Sequence, residues 1–334
     1  IHIDGQLIGE LKGLKFLIEV TSKTLDTDIK SIKKAARKGV EAELSKRVDE
    51  ILDKKEITIN NQSKIIWKNH PIARLKKGND YLNPEIDLIA DDSLNEDSKV
   101  KLIKFLNKWL VSYINEVLGD LIKLTKHQIT NQYLRGLVFQ LYENNGVIKR
   151  EQVLDYLKDL KQSERKILRE LGVKFGRYHV FLFKLFKPSS VSLRILLWKN
   201  YNEKNFDFTP PTFGLNFLEE KKMLNKNLML LCGFEKFENL YVRIDILERL
   251  FLMIFNTKSE DKIKEIKLIP EMLNLLGCNK ENFVKLIKKM NYKTYEKNKD
   301  LYFKYIPFKK IIKKDNNKNF KDNPFRVLSQ LNLK

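Results

Sequence analysis

The sequence predicts an α+β fold, mostly helical, with N-terminal β-hairpins and helices, a central helical region and a C-terminal winged-helix-like domain. Three observations carry that expectation. Apolar residues recur at three- and four-residue spacing over 27–52 and 95–142. Short alternating apolar runs flank turn residues near the N-terminus and again over 57–90. The last third reads helix, short helix, turn, helix, hairpin, which is the layout of a winged helix.

Ile1 to Val20 reads as a hairpin around Asp4-Gly5, a strong two-residue turn signal, with Gly9 and Gly13 placed to let the strand bend. Thr27 to Leu52 is a helix with the stripe Ile29, Ile32, Ala36, Val40, Leu44, Val48 and Ile51 or Leu52; Lys30, Lys33, Lys34, Arg37 and Lys38 lie on its other face. Strands follow in ITINNQ, KIIWKNHPIARL and PEIDLIA. The stretch WKNHPIARLKKG resembles the opening when Trp67 is set on Ile3, a weak internal repeat that apolar alternation around a turn also explains. Over 95–142 the helical stripe is Val100, Ile103, Leu106, Leu110, Ile114, Val117 and Leu121, and Gly119 is either tolerated or marks a break. Helices at 150–159 and 163–171 precede Gly172, placed as a helix C′ residue. Gly172 to Pro188 is strand-like and followed by a helix from Val191 to Tyr201, and Pro210-Pro211 mark a loop. Then come helices over 243–255 and 270–276, with Pro270 at a first helical position. Asn279 caps a helix over 280–290, and Tyr292–Glu296 and Leu301–Ile306 form a hairpin. The expected organisation is a hairpin and helix domain over 1–94, a helical domain over 95–201, a linker and packing segment over 202–242, a winged-helix-like domain over 243–307 and a basic tail over 308–334.

The 334 residues suffice for two or three domains, and 43% apolar residues speak for a packed core. No apolar run approaches the roughly 18 residues of a membrane span. There is no signal peptide, and a chain opening without Met in a strand-like stretch is expected of a segment of a longer protein. Cys232 and Cys278 have neither metal nor disulfide-framework spacing and fit buried thiols in a reducing cytoplasm. The formal charge is +21, with only 12 Arg against 52 Lys, a bias that an AT-rich genome produces whatever the function. Its distribution says more. From Asn279 to the end there are 16 Lys and Arg against 5 Asp and Glu, a net of +11, and such clustering suits a polyanionic partner.

Catalytic signatures are missing. The sequence has no GxxxxGK[ST], no GxGxxG after a strand, no HExxH and no GxSxG, and its four histidines do not share ligand spacing. Glu85, Asp87, Asp91 and Asp92 form the one tight carboxylate cluster, and the reading favoured for it is a helix cap over 91–95 rather than a metal site. No cofactor or metal is expected in this segment. The candidate contacts are for nucleic acid. In the winged-helix reading Lys280, Lys285, Lys288 and Lys289 lie near a phosphate backbone, Phe283, Val284 and Ile287 face the core, and Lys293, Lys297 and Lys299 surround the wing; Asn279 and Asn282 suit base edges. KKIIKK at 309–314 is a basic tail. The stretch GVKFGRYHVFLFKLFKP at 172–188 adds Lys174 and Arg177. Read as one strand it is mostly core, with an alternative as an aromatic and basic surface for single-stranded nucleic acid.

That stretch, with the helix after it, LGVKFGRYHVFLFKLFKPSSVSLRILLW, resembles a signature of bacterial ATP-dependent helicases related to the mitochondrial degradosome RNA helicase. Gly172, Gly176, Arg177, Phe181, Leu182, Lys187 and Pro188 match, and Phe183 stands where the pattern has proline. IDGQLIGELKGLKF, KIIWKNHPIARL with DLIADDSL, RIDILERL, MLNLLGCNKENFVKLIKKMNY and NPFRVLSQL resemble the same family in the same order. The resemblance implies a region after two RecA-like motor domains, which would hold the ATP and Mg²⁺; a nuclease is a further partner of the kind it implies. Together these readings anticipate a cytoplasmic, non-catalytic accessory region that guides single-stranded RNA or DNA with little sequence preference and no membrane. The rivals are a stand-alone winged-helix DNA-binding regulator and a protein-docking adaptor.

Overall fold

The computed structural model describes residues 2–3, 6–7, 9–18, 26–54, 56–126, 131–203, 208–220, 223–257 and 265–306, with side chains from 9 to 17 and from 37 on apart from 54. The fold is α+β and about half helical, with small antiparallel sheets. It divides into two compact units, one running to Phe255 and taking in Asn274–Gly277, the other taking Asn256–Leu273 and the residues from Cys278 on. The basic tail, the side chains of Lys30, Lys33 and Lys34 and the Asp4-Gly5 turn lie outside what is described.

Unit one opens with two hairpins rather than one. β1 (His2–Ile3) pairs with β2 (Gln6–Leu7), and β3 (Gly9–Lys12) pairs with β4 (Lys15–Ile18). Helix α1 (Asp26–Lys54) buries Val40, Leu44, Val48 and Ile51, the stripe its spacing predicts. Its Arg47 donates from Nη1 to the carbonyls of Leu11 and Gly13, both at 2.9 Å, which ties the helix to the second hairpin. β5 (Ile57–Ile59), β6 (Lys64–Trp67), β7 (His70–Asp80) and β8 (Asn83–Leu88) form a four-stranded sheet in chain order.

The apolar run over 95–142 is three helices: α2 (Glu96–Val117), α3 (Gly119–Lys126) and α4 (Gln132–Glu143). The first break falls at Leu118, and Gly119 opens α3. Asn95 caps α2 by accepting the Ser98 N–H at 2.8 Å. The buried stripe of α2 is Leu102, Leu106, Leu110 and Ile114; Val100, expected within it, is 63% exposed because the stripe is in phase with Leu102 instead. Asp87 of the carboxylate cluster pairs with Arg74 and Lys76, and no group of metal-ligating residues occurs among the described residues.

β9 (Val147–Lys149) leads through a 3-10 turn into α5 (Leu154–Asp159) and α6 (Gln162–Glu170). Gly172, at φ +92°, ends α6 in the left-handed region. The stretch after it is not one strand. β10 (Val173–Phe175) and β11 (His179–Leu182) pair across residues 176–178, and a 3-10 turn over Phe183–Phe186 precedes α7 (Pro188–Tyr201). Sheet order is β10-β11-β9. Segment 202–242 holds β12 (Phe217–Glu219), α8 (Lys226–Leu231), β13 (Phe234–Phe237) and β14 (Leu240–Arg243), arranged β12-β14-β13, before α9 (Ile244–Asn256). β15 (Ile266–Lys267), α11 (Lys280–Lys289), β16 (Tyr292–Lys297) and β17 (Asp300–Tyr305) belong to unit two, with sheet order β15-β17-β16, and α10 (Pro270–Leu276) is shared, its last turn counting with unit one.

Arg194 of α7 is fully buried. Its Nη1 donates to Asn145 O at 3.0 Å, and its Nη2 donates to Leu185 O at 2.6 Å and Leu231 O at 2.7 Å. Burial lowers its pKa to about 10, partly offset by Tyr81 and Cys232, so the guanidinium stays charged at neutral pH. Replacing it with Met strands three carbonyls in the core. The Arg194→Met variant is expected to lose about 3 kcal/mol or more of stability, read as a lower midpoint in urea; an unchanged midpoint would show that the three carbonyls find other donors.

Candidate nucleic-acid interface

The predicted contact residues fall into three groups on two units. In unit two, α11 begins where Asn279 Oδ1 accepts the Asn282 N–H at 2.8 Å, so that oxygen is committed to the cap. Phe283, Leu286 and Ile287 are buried against the sheet, with the Phe283 and Phe303 rings 5.7 Å apart. Leu286 takes the inward position that the sequence reading gave to Val284, which is half-buried. Lys285, Lys288 and Lys289 project from the opposite side of the helix and are exposed. Lys285 pairs with Glu281 at 2.8 Å. Lys280 pairs with Glu296 of β16 at 3.0 Å.

The second group lies on the hairpin of β16 and β17. Asn298 and Lys299 adopt φ of 52° and 68°, the left-handed pair that a two-residue turn between twisted strands requires. Strand alternation puts Tyr292 and Phe303 on the face that packs on α11. The other face carries Lys293 directly opposite Lys304, and Tyr295 opposite Tyr302. These two tyrosine rings stack with centroids 6.1 Å apart and planes 14° from parallel. Lys297 continues this face. The hairpin cations and those of α11 therefore stand on opposite sides of the packed helix and sheet. Lys304 and the tyrosine stack escape a count of lysines because they become a surface only once the register is known.

The third group, Lys174 and Arg177, belongs to unit one. Both are exposed, while Val173, His179, Val180, Phe181 and Leu182 beside them are buried. The turn between β10 and β11 wraps a carboxylate. Glu248 of α9 accepts the backbone N–H groups of Arg177, of Tyr178 at 2.9 Å and of His179 at 2.9 Å. His179 Nε2 donates to Glu235 Oε2 at 3.1 Å, its Nδ1 lies 3.5 Å from Glu248 Oε1, and Lys149 reaches Glu235 Oε1 at 2.8 Å. A Cβ on Gly176 would stand 2.2 Å from Glu248 Cδ, so only glycine lets the acid into the turn. Glu235 and Glu248 were not singled out from sequence. The one signal was an acid at 248 within the apolar run of α9.

Protonation acts on the two ends of this network with opposite signs. Burial opposes charging His179, but its bonds to Glu235 and Glu248 outweigh burial and hold its pKa above the ordinary 6.5. Burial opposes ionising Glu235, but His179 and Lys149 outweigh it and hold its pKa below the ordinary 4.5. His179 thus contributes stability that is fully present below the ordinary imidazole value and is lost as pH rises through its raised pKa. Glu235 contributes stability that is present above the ordinary carboxylate value and is lost as pH falls through its lowered pKa.

Comparison with protein-family models, with curated proteins and with solved structures finds no match.

Two outcomes are expected. Gly176→Ala should cost about 2–3 kcal/mol, since the carboxylate must leave three backbone donors; thermal unfolding with no shift would rule out the wrapped carboxylate. Stability measured by urea unfolding should be highest between pH 4.5 and 6.5 and decline above it. In His179→Gln the alkaline decline should vanish, and an identical slope in the variant would mean that another group titrates.

Proposed function

We propose that the chain is a non-catalytic accessory region of an ATP-dependent helicase that binds and guides single-stranded RNA or DNA with little sequence preference. The observation that supports this most is the outer face of the wing. There the Tyr295–Tyr302 stack lies beside Lys293 and Lys304, so ring faces for bases adjoin cations for phosphates. Lys293 opposite Lys304 is a like-charge pair that costs the isolated sheet stability and that a polyanion relieves. The order β15, α10, α11, β16, β17 supports a winged-helix reading of this unit. Lys285, Lys288 and Lys289 add to the field that attracts a strand. On this reading ATP and Mg²⁺ belong to RecA-like motor domains elsewhere in a cytoplasmic parent protein, and a nuclease is a further partner. No helix among the described residues is long and apolar enough to cross a membrane.

A sequence-specific regulator finds less support, because the outward cations of α11 are all lysine and meet phosphate as point charges. A docking adaptor has one observation in its favour, the exposed Leu252 and Phe255 on α9.

Fluorescence anisotropy with single-stranded RNA, single-stranded DNA and duplex across a salt series tests the proposal. Single strands should bind best, with a steep salt dependence. Tyr302→Ala should weaken binding roughly tenfold, the worth of one stacked base. Changing Lys285, Lys288 and Lys289 to Glu should weaken strand binding at low salt and matter less as salt rises, since these lysines act through the field from the opposite face. Absence of binding at low salt would falsify the nucleic-acid role and leave the docking reading.

A further inference from the structure

We propose that unit one carries a site for a nucleoside 5′-monophosphate group, a phosphomonoester dianion joined to a flat ring system, in the cleft beside His179. The cleft encloses about 370 Å³, room for one nucleotide rather than a length of strand. Arg150, Arg177, Tyr178, Lys236 and Phe237 line it, and the buried His179–Glu235 pair lies at its floor.

The charges in this cleft are unequal. Glu235 is neutralised from two sides, by Lys149 at 2.8 Å and His179 at 3.1 Å. Lys236 is itself held by Glu220 at 2.6 Å. Glu151 is a further acid on the lining, and it is exposed. Two guanidinia stand apart from this pairing. Arg150 donates from Nη1 to the Gly176 carbonyl at 2.7 Å, which aims the group without neutralising it. Arg177 lies 5.7 Å over the Phe251 ring. Neither pairs with a carboxylate among the described residues.

A dianion is the charge that two such groups match. The planar fork of each guanidinium can take two phosphate oxygens at once, which a lysine cannot do. In a chain with 12 Arg against 52 Lys, two unpaired arginines at one small cleft mark a site where that geometry is used. Tyr178 and Phe237, half-buried on the same lining, offer ring faces to a base. An internal stretch of strand would instead call for a row of cations along a groove. The site uses none of the wing residues and stands or falls apart from the strand-binding proposal.

Isothermal titration calorimetry of the 334-residue chain with AMP, adenosine, inorganic phosphate and a tetranucleotide with or without a 5′-phosphate tests it. AMP should bind, and adenosine and phosphate should each bind more weakly by roughly tenfold or more, since each lacks one half of the recognised group. Arg177→Gln, exposed and without a carboxylate partner, should weaken AMP roughly tenfold or more at an unchanged unfolding midpoint. Arg150→Lys, which keeps the charge and loses the fork, should weaken it too. The Lys285, Lys288 and Lys289 to Glu variant should bind AMP as before even where it loses strands. A phosphorylated tetranucleotide that competes with AMP identifies a strand end as the ligand, and competition by AMP alone identifies a free nucleotide; either supports the site. No heat with millimolar AMP, AMP binding indifferent to both arginine variants, or phosphate binding as tightly as AMP would overturn it.

Discussion

One buried guanidinium sets where three strands begin or end. Arg194 holds the carbonyl of Asn145 just before β9, that of Leu185 just after β11 and that of Leu231 just before β13. Those are the strands that bring Lys149, His179 and Glu235 together. A charge in an apolar core is tolerated only when its donors are used. Here Nη1 and Nη2 are used, Nε is not, and their three bonds fix the relative positions of elements that come from separate stretches of chain. The carboxylate of Glu248 does the complementary work at the other end of β11, where it satisfies consecutive N–H groups of the turn. A cation gathering carbonyls and an anion gathering amides thus bracket the same short strand.

Arginine and lysine are used differently at several points, although Arg74 and Arg243 also meet carboxylates. Arg47, Arg150, Arg165 and Arg194 all donate to backbone carbonyls. Lysines such as Lys68, Lys236 and Lys280 meet carboxylates near the surface. The planar fork can reach two or three acceptors at once with little loss of side-chain freedom per bond, whereas an ammonium is a hydrated point charge. A lysine-rich composition therefore need not disturb the fold, provided arginine is kept at the carbonyl clamps.

What the sequence made legible was local. Asn279, Asn95 and the Lys297–Asp300 turn each state their structure within four residues, and all three stand as read. The helix stripes were legible except in phase, where Val100 and Val284 were taken for neighbours that point inward. The Gly172–Pro188 stretch was misread as one strand because the group that bends it, Glu248, lies about seventy residues on. Its glycine carries no mark of the carboxylate it admits. Arg150 and Glu235 are invisible as a site for the same reason: nothing in their own neighbourhoods distinguishes them from surface charges, and only the approach of β13, from a second sheet, to β9 and β11 makes them face one cleft.

The facing lysines of the β16–β17 hairpin carry a consequence for ionic strength. Lys293 and Lys304 repel across the hairpin when nothing covers them. Dissolved ions screen that repulsion and so tighten the empty sheet, while the same ions compete with any polyanion for the same two ammoniums. Salt therefore tightens the empty hairpin while weakening any attraction of its two facing ammoniums for an anion. A buffer chosen to keep the isolated hairpin firm is then the one in which such an attraction is hardest to measure.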